Sequence, residues 1–213
     1  MSQPFDRSCK IPEPGKPNEV LGEFWEESPW TISSSKNLSA YERNRVYMNH
    51  NGKNFFDISY ITGADSDGDG RCAVAADLNN DGLNEIIVRQ VGGGPLNIYE
   101  NRFPLKNWLK VSLRGNESNS FGIGARLTAL VNDEKLVREM YPVNSYRSQS
   151  PNIVHFGLND SDQVDILEIK WPSGRIQRFE SVQANRHIIV EENYEKISLV
   201  QSGQISGLQF SGY

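Results

Sequence analysis

A chain of 213 residues with a net charge of -5 and a pI near 5.3 has room for one large β domain or two small ones with real cores. Its acidic balance, with Lys and Arg interspersed rather than clustered, argues against a nucleic-acid partner and reads as a solvated surface of mixed charge. No apolar run approaches the roughly 20 residues of a membrane helix.

Residues 1–40 read as an extended leader. The first twenty carry four prolines, little periodicity and no apolar h-region of a signal peptide. Two origins stay open: a cytoplasmic protein whose native start is Met1, or an extracytoplasmic (secreted or periplasmic) one from which a signal peptide was removed. Cys9 and Cys72 are too few for a disulfide framework and too far apart for a metal motif. They could form one bridge in a secreted protein, whereas Cys72, in CAVAA, reads more simply as a small buried residue. Trp25 and Trp30 are expected to cover the main core.

Residues 45–48 and 54–58 are short strand-like runs around Asn51-Gly52, a hairpin signal. Strands are then expected over 72–76 and 85–88, with a turn at Gly92-Gly93-Gly94-Pro95 and a further strand over 96–100. From Asn107 onward strands recur at sandwich or barrel spacing: 108–113, a hairpin of 125–131 and 135–140, then 152–156, 164–170, 176–179 and 187–191. Helical periodicity is almost absent, so the fold class is all-β. The tail from 193 is rich in Ser, Gly and Gln, yet alternates apolar residues that fit an edge strand or a docking arm.

The most informative stretch joins the strands at 72–76 and 85–88. Asp77, Asn79, Asp81 and Glu85 occupy positions 1, 3, 5 and 9 of a loop, Gly82 stands at position 6, and the carbonyl of Leu83 is at position 7. Alternating oxygen donors closed by a glycine suit a hard cation such as Ca²⁺; Mg²⁺ resists shedding its waters for an all-protein cage. An EF-hand is excluded, because position 12 is Val88 and the flanks are strands. The competing account is an Asx-type turn without metal, but three carboxylates in one loop repel unless a positive charge stands among them. Asp65, Asp67 and Asp69, with Gly70, form a second, incomplete loop. Ala73 stands at its position 9, so a second cation site and a plain acidic turn remain equal alternatives.

Other motifs read structurally. Gly122 and Gly124 lack the third glycine and following helix of a dinucleotide fingerprint and suit a bend where backbones pack closely. Arg126 beside them suits an ion pair rather than a substrate. His50, His155 and His187 show no catalytic spacing, and His155 in VHFGL fits a satisfied core residue. Asp160, Asp162 and Asp165 fit a hairpin turn, and Trp171 in KWPSGR a core anchor at a turn.

Taken together, DLNNDGLNE followed by EIIV resembles the calcium-loop repeat of FG-GAP/VCBS proteins. The region downstream resembles the ASPIC/UnbV domain of the cartilage acidic protein family. The pieces run in the family's order: Tyr41-Glu42-Arg43-Asn44-Arg45 and Asn49, Asp69-Gly70-Arg71, Asn107-Trp108-Leu109, 121–126 (FGIGAR), Gln149-Ser150, 155–158 (HFGL) and 171–174 (WPSG). The resemblance implies a blade-like β unit over 41–105, packed on a sandwich- or barrel-like β domain over 106–192, with a tail over 193–213. A single repeat cannot close a propeller. Glu85 also replaces the Asp with which the repeat more often ends.

The function expected from these features is a non-enzymatic, calcium-binding β module for adhesion or protein interaction, with calcium in a structural role. The alternative is an accessory subunit of a larger membrane-associated or extracellular complex, its leader and tail serving as docking arms. A metal-dependent hydrolase built on the Asp65–Glu85 carboxylates needs an open coordination position and a base, and the sequence displays neither. A protein partner is expected, with no nucleic acid and no membrane insertion.

Overall fold

A computed structural model describes residues 9–10, 36–37, 43–50, 52–66, 70–90, 96–143, 145–146 and 148–200. The Trp25/Trp30 pair, the glycine-rich turn at 92–95, Asp67, Asp69 and the tail beyond 200 lie outside these residues. Strands make up 52% of the described chain and helix 3%, an all-β, sandwich-like architecture. No helix among the described residues is long and apolar enough to cross a membrane. Proximity divides the chain into two compact units, Met1–Val74 with Ile86–Tyr99, and Ala75–Glu85 with Glu100–Tyr213.

In the first unit, β1 (Cys9–Lys10) pairs antiparallel with β2 (Lys36–Asn37). The hairpin expected around Gly52 is present as β3 (Tyr47–His50) and β4 (Asn54–Asp57), with Asn49 Oδ1 accepting from the Gly52 amide at 2.8 Å. A single helical turn, α1 (Ser59–Thr62), follows and ends on Gly63 in the left-handed region. Buried Ser59 ties the turn to the hairpin: its Oγ accepts from Val46 N at 2.7 Å and donates to Asp57 Oδ1 at 2.5 Å. The Ser59 hydroxyl and amide, both donating to Asp57 Oδ1, hold the Asp57 carboxyl below its ordinary range, with Arg45 nearby. β5 (Gly70–Ala76), β6 (Glu85–Gln90) and β7 (Asn97–Tyr99) form a three-stranded sheet in that order. Cys72, expected to be buried, is a half-buried free thiol in β5, because the strand alternates between half-buried and exposed positions rather than entering a closed core.

The second unit holds the core. Its strands are β8 (Asn107–Arg114), β9 (Arg126–Val131), β10 (Glu134–Glu139), β11 (Val154–Asn159), β12 (Gln163–Lys170), β13 (Ile176–Gln183), β14 (Arg186–Glu191) and β15 (Ile197–Leu199). They make two four-stranded sheets, β10-β9-β12-β13 and β11-β8-β14-β15. The pairings are antiparallel except β8 with β14, which run parallel. Alternation explains the packing. Leu109, Val111 and Leu113 of β8 turn into one cluster with Leu127, Ala129, Phe156, Leu167, Ile169, Ile188 and Val190. Each of the larger of these side chains (Leu, Ile, Val, Phe) removed from water contributes roughly 1.5–3 kcal/mol. Part of the alternating tail is indeed an edge strand, β15 on β14.

Turn chemistry sets the registers. Asn132 and Asp133 both take positive φ (47° and 66°), the two-residue turn whose twist matches a hairpin. Trp171, 2% exposed, anchors the β12–β13 turn and donates its indole N–H to Gln177 Oε1, as expected of a core tryptophan at a turn. Gly122 bends the chain with φ 61°. A Cβ there would approach Leu113 Cδ1 to 2.8 Å and Trp171 Cζ3 to 3.1 Å, so what packs closely on this bend is core side chains rather than a second backbone.

Candidate metal centre

The loop between β5 and β6 is closed by its own side chains. Asp77 Oδ2 accepts from Gly82 N at 2.7 Å, and Glu85 Oε2 accepts from Leu78 N at 2.8 Å. Asn79 Oδ1 takes Asp81 N at 3.1 Å and Asp81 Oδ1 takes Leu83 N at 2.7 Å, two successive Asx-type turns. Asn80 and Gly82 supply the positive φ values (62° and 93°) that let the chain reverse.

Ala75–Glu85 belongs to the second unit, and its contacts there are specific. Gly82 lies flat against the Trp108 indole, so that any Cβ would occupy the ring. The Gly82 carbonyl receives the His155 Nε2 hydrogen at 2.8 Å; a carbonyl only accepts, so Nε2 carries the proton. His155 and Trp108 stack with centroids 6.5 Å apart and planes 15° apart. Burial holds the His155 pKa below its ordinary value, against the raising effect of the Gly82 hydrogen bond. Lys110 reaches from β8 to ion-pair with Asp77 Oδ2, its ammonium 4.9 Å from the Trp108 ring centre.

Register explains this convergence. His155 of β11 and His187 of β14 both lie opposite Lys110, so three basic side chains stand abreast across the sheet. His187 Nε2 meets Ser112 Oγ at 2.8 Å, and its pKa is lowered by burial and by Lys110. His155 and His187, far apart in sequence, are therefore gathered by strand pairing, whereas His50 lies in the β3–β4 hairpin.

A cation would find two oxygens prepared for it. Asp77 Oδ1 and Glu85 Oε1 are buried and make no hydrogen bond, although each carboxylate's other oxygen is fixed by a loop amide. The Asp77 side chain is 2% exposed, and Glu85 is 1% exposed. An orphaned buried carboxylate oxygen is costly unless something positive completes it, and on that test the residues fit a metal. Asn79 and Asp81 are instead engaged with each other, Nδ2 to Oδ2 at 2.8 Å. In this arrangement no three Asp, Glu, His or Cys side chains among the described residues form a ready-made metal cluster. Of the second loop's carboxylates only Asp65 is described, and Arg43 pairs with it at 2.7 Å.

One constellation has no sequence signal. Glu192, fully buried after β14, accepts from the amides of Asn116, Glu117 and Ser118 at 2.8, 2.9 and 2.7 Å. It also takes the hydroxyls of Ser118 and Ser173, at 2.9 and 2.6 Å. Burial opposes its ionisation, but the hydrogen bonds from Ser173, Ser118 and Asn116 outweigh this, and its pKa falls to about 2. It is a latch between the loop after β8, the β12–β13 turn and the end of β14. The aspartates at 160 and 165 also serve structure: Lys106 pairs with Asp160 at 2.6 Å, and Asn132 N donates to Asp165 at 2.9 Å.

No curated protein matched the chain. Residues 115–197, which span the latch and every strand from β9 to β14 and end on the first residue of β15, match the family model described as ASPIC and UnbV.

Proposed function

We propose that this chain is a non-enzymatic β module for adhesion or protein interaction, in which calcium bound at Asp77–Glu85 acts structurally. The observation that carries this reading is the pair of buried, unpartnered oxygens, Asp77 Oδ1 and Glu85 Oε1, on a loop with alternating oxygen donors. Those two, the Leu83 carbonyl and the side chains of Asn79 and Asp81 would hold the ion. Calcium would supply charge neutralisation there, favouring the loop that joins β5 to β6 and its seat on Trp108 and His155. The resemblance to FG-GAP/VCBS loops and the cartilage acidic protein family, together with the ASPIC and UnbV match, supports an extracytoplasmic setting, where millimolar calcium suits a modest site. A hydrolase is disfavoured because the nearby candidate bases are committed, His155 to the Gly82 carbonyl and Lys110 to Asp77.

A melting scan with calcium and then with chelator tests the proposal. At a free calcium concentration about 100 times the Kd the folded state gains ~2.7 kcal/mol, which for a domain of this size raises the midpoint by about 5–10 °C. Identical midpoints would refute it.

The accessory-subunit reading is favoured by a separate observation. Tyr47, Met48, Phe55 and Phe56 of the β3–β4 hairpin are all exposed, with the neighbouring Tyr60 and Ile61 more so. Light scattering on the purified chain and recovery of co-purifying partners test it; a clean monomer with no partner counts against it.

A further inference from the structure

We propose that Lys110 is a resident cation of the Asp77–Glu85 loop: its ammonium keeps the loop closed without metal and sets the affinity for calcium low. The inference deepens the calcium reading and rests on it.

Lys110 occupies an outward position of β8, between Trp108 and Ser112 and out of phase with the core residues Leu109, Val111 and Leu113. A lysine in that phase ordinarily extends into water. This one is 6% exposed at its side chain, ion-paired with an Asp77 side chain only 2% exposed and set over the Trp108 ring. Burying an ammonium costs several kcal/mol unless a partner compensates it, so the Asp77 carboxylate and the indole face are what keep it there.

The two oxygens of Asp77 have different tasks. Oδ2 takes the Lys110 ammonium and the Gly82 amide, whereas Oδ1 has no partner. An incoming metal therefore need not displace Lys110; it meets a carboxylate already oriented and already half neutralised. Asp77, Asp81 and Glu85 bring three negative charges and Lys110 one positive, leaving two, which a single divalent ion balances. The ammonium also repels that ion, and Coulomb repulsion scales with the ion's charge. Affinity in oxygen-donor loops follows the count of ligand charges, so removing the ammonium should tighten binding, and tighten it more for a trivalent ion than for calcium.

The test compares the full chain with Lys110→Gln, which removes the charge but keeps a hydrogen-bond donor for Asp77. Calcium is titrated by calorimetry, and Tb³⁺ by luminescence sensitised through the tryptophans. The expected result is calcium binding about tenfold tighter in K110Q, a larger gain for Tb³⁺, and a metal-free melting point below wild type that calcium restores. A purely packing role for Lys110 would lower the melting point but leave the ratio of the two metal affinities unchanged. Should K110Q fold only with metal, its folding cost raises the calcium and Tb³⁺ midpoints alike and cancels in their ratio; a ratio equal to the wild-type one overturns the proposal. Equal or weaker calcium binding by K110Q overturns the resident-cation role and leaves the calcium reading standing. If neither protein binds calcium, both fall.

Discussion

Glu192→Gln tests whether the buried latch carries the stability that its geometry implies. The carboxylate accepts three amides on one oxygen and two hydroxyls on the other. Gln can keep its carbonyl toward the amides, while the hydroxyls of Ser118 and Ser173 turn to accept from its NH₂. What disappears is the charge. Hydrogen bonds to a charged group contribute about 1.5–3 kcal/mol against roughly 0.5–1.5 for neutral ones, so three amide bonds lose on the order of 3 kcal/mol together. Urea unfolding at neutral pH should show that loss as a lower midpoint at unchanged slope. The pH dependence supplies an independent readout. A carboxyl at about 2 in the folded state, against 4.5 ordinarily, binds fewer protons folded than unfolded. Its stabilisation is thus complete above pH 4.5 and is lost as pH falls toward 2. E192Q should flatten that part of the acid limb. An E192Q midpoint indistinguishable from wild type, with the acid limb unchanged, would refute the reasoning.

Two glycine substitutions probe close approaches. Gly82→Ala drives a Cβ into the Trp108 indole at a φ of 93°. It should cost about 2–4 kcal/mol from overpacking and backbone strain, read by denaturant midpoint and by a change in tryptophan emission. Gly122→Ala meets Leu113 and Trp171 at a φ of 61° and should cost about 1–3 kcal/mol in thermal or urea unfolding, with no effect on calcium binding.

How much was legible in the sequence follows the separation of the interacting residues. The strands from 107 to 191 could be read because inward apolar residues alternate with outward polar ones, as in β8 and β14. The ligand pattern from Asp77 to Glu85 was equally plain, since all its members lie within nine residues of one another. The hidden parts are non-local. Lys110 is 33 residues from Asp77, and His155 is 73 from Gly82. Glu192 lies 74–76 residues from the amides it holds. Only the registers of β11 and β14 on β8, one antiparallel and one parallel, bring His155 and His187 level with Lys110. A lysine on an outward strand position reads as solvated; the loop that covers it is joined to β8 by no local signal. The sequence points to a metal for the positive charge that the three loop carboxylates call for, whereas one such charge, Lys110, is built into the sheet.

The central claim is that the Asp77–Glu85 loop takes calcium. It is tested most directly by anomalous diffraction from a crystal grown in calcium. One peak in contact with Asp77 Oδ1, Glu85 Oε1 and the Leu83 carbonyl is the predicted result. No peak there, with both carboxylate oxygens bonded to water or to protein donors at saturating calcium, would contradict it.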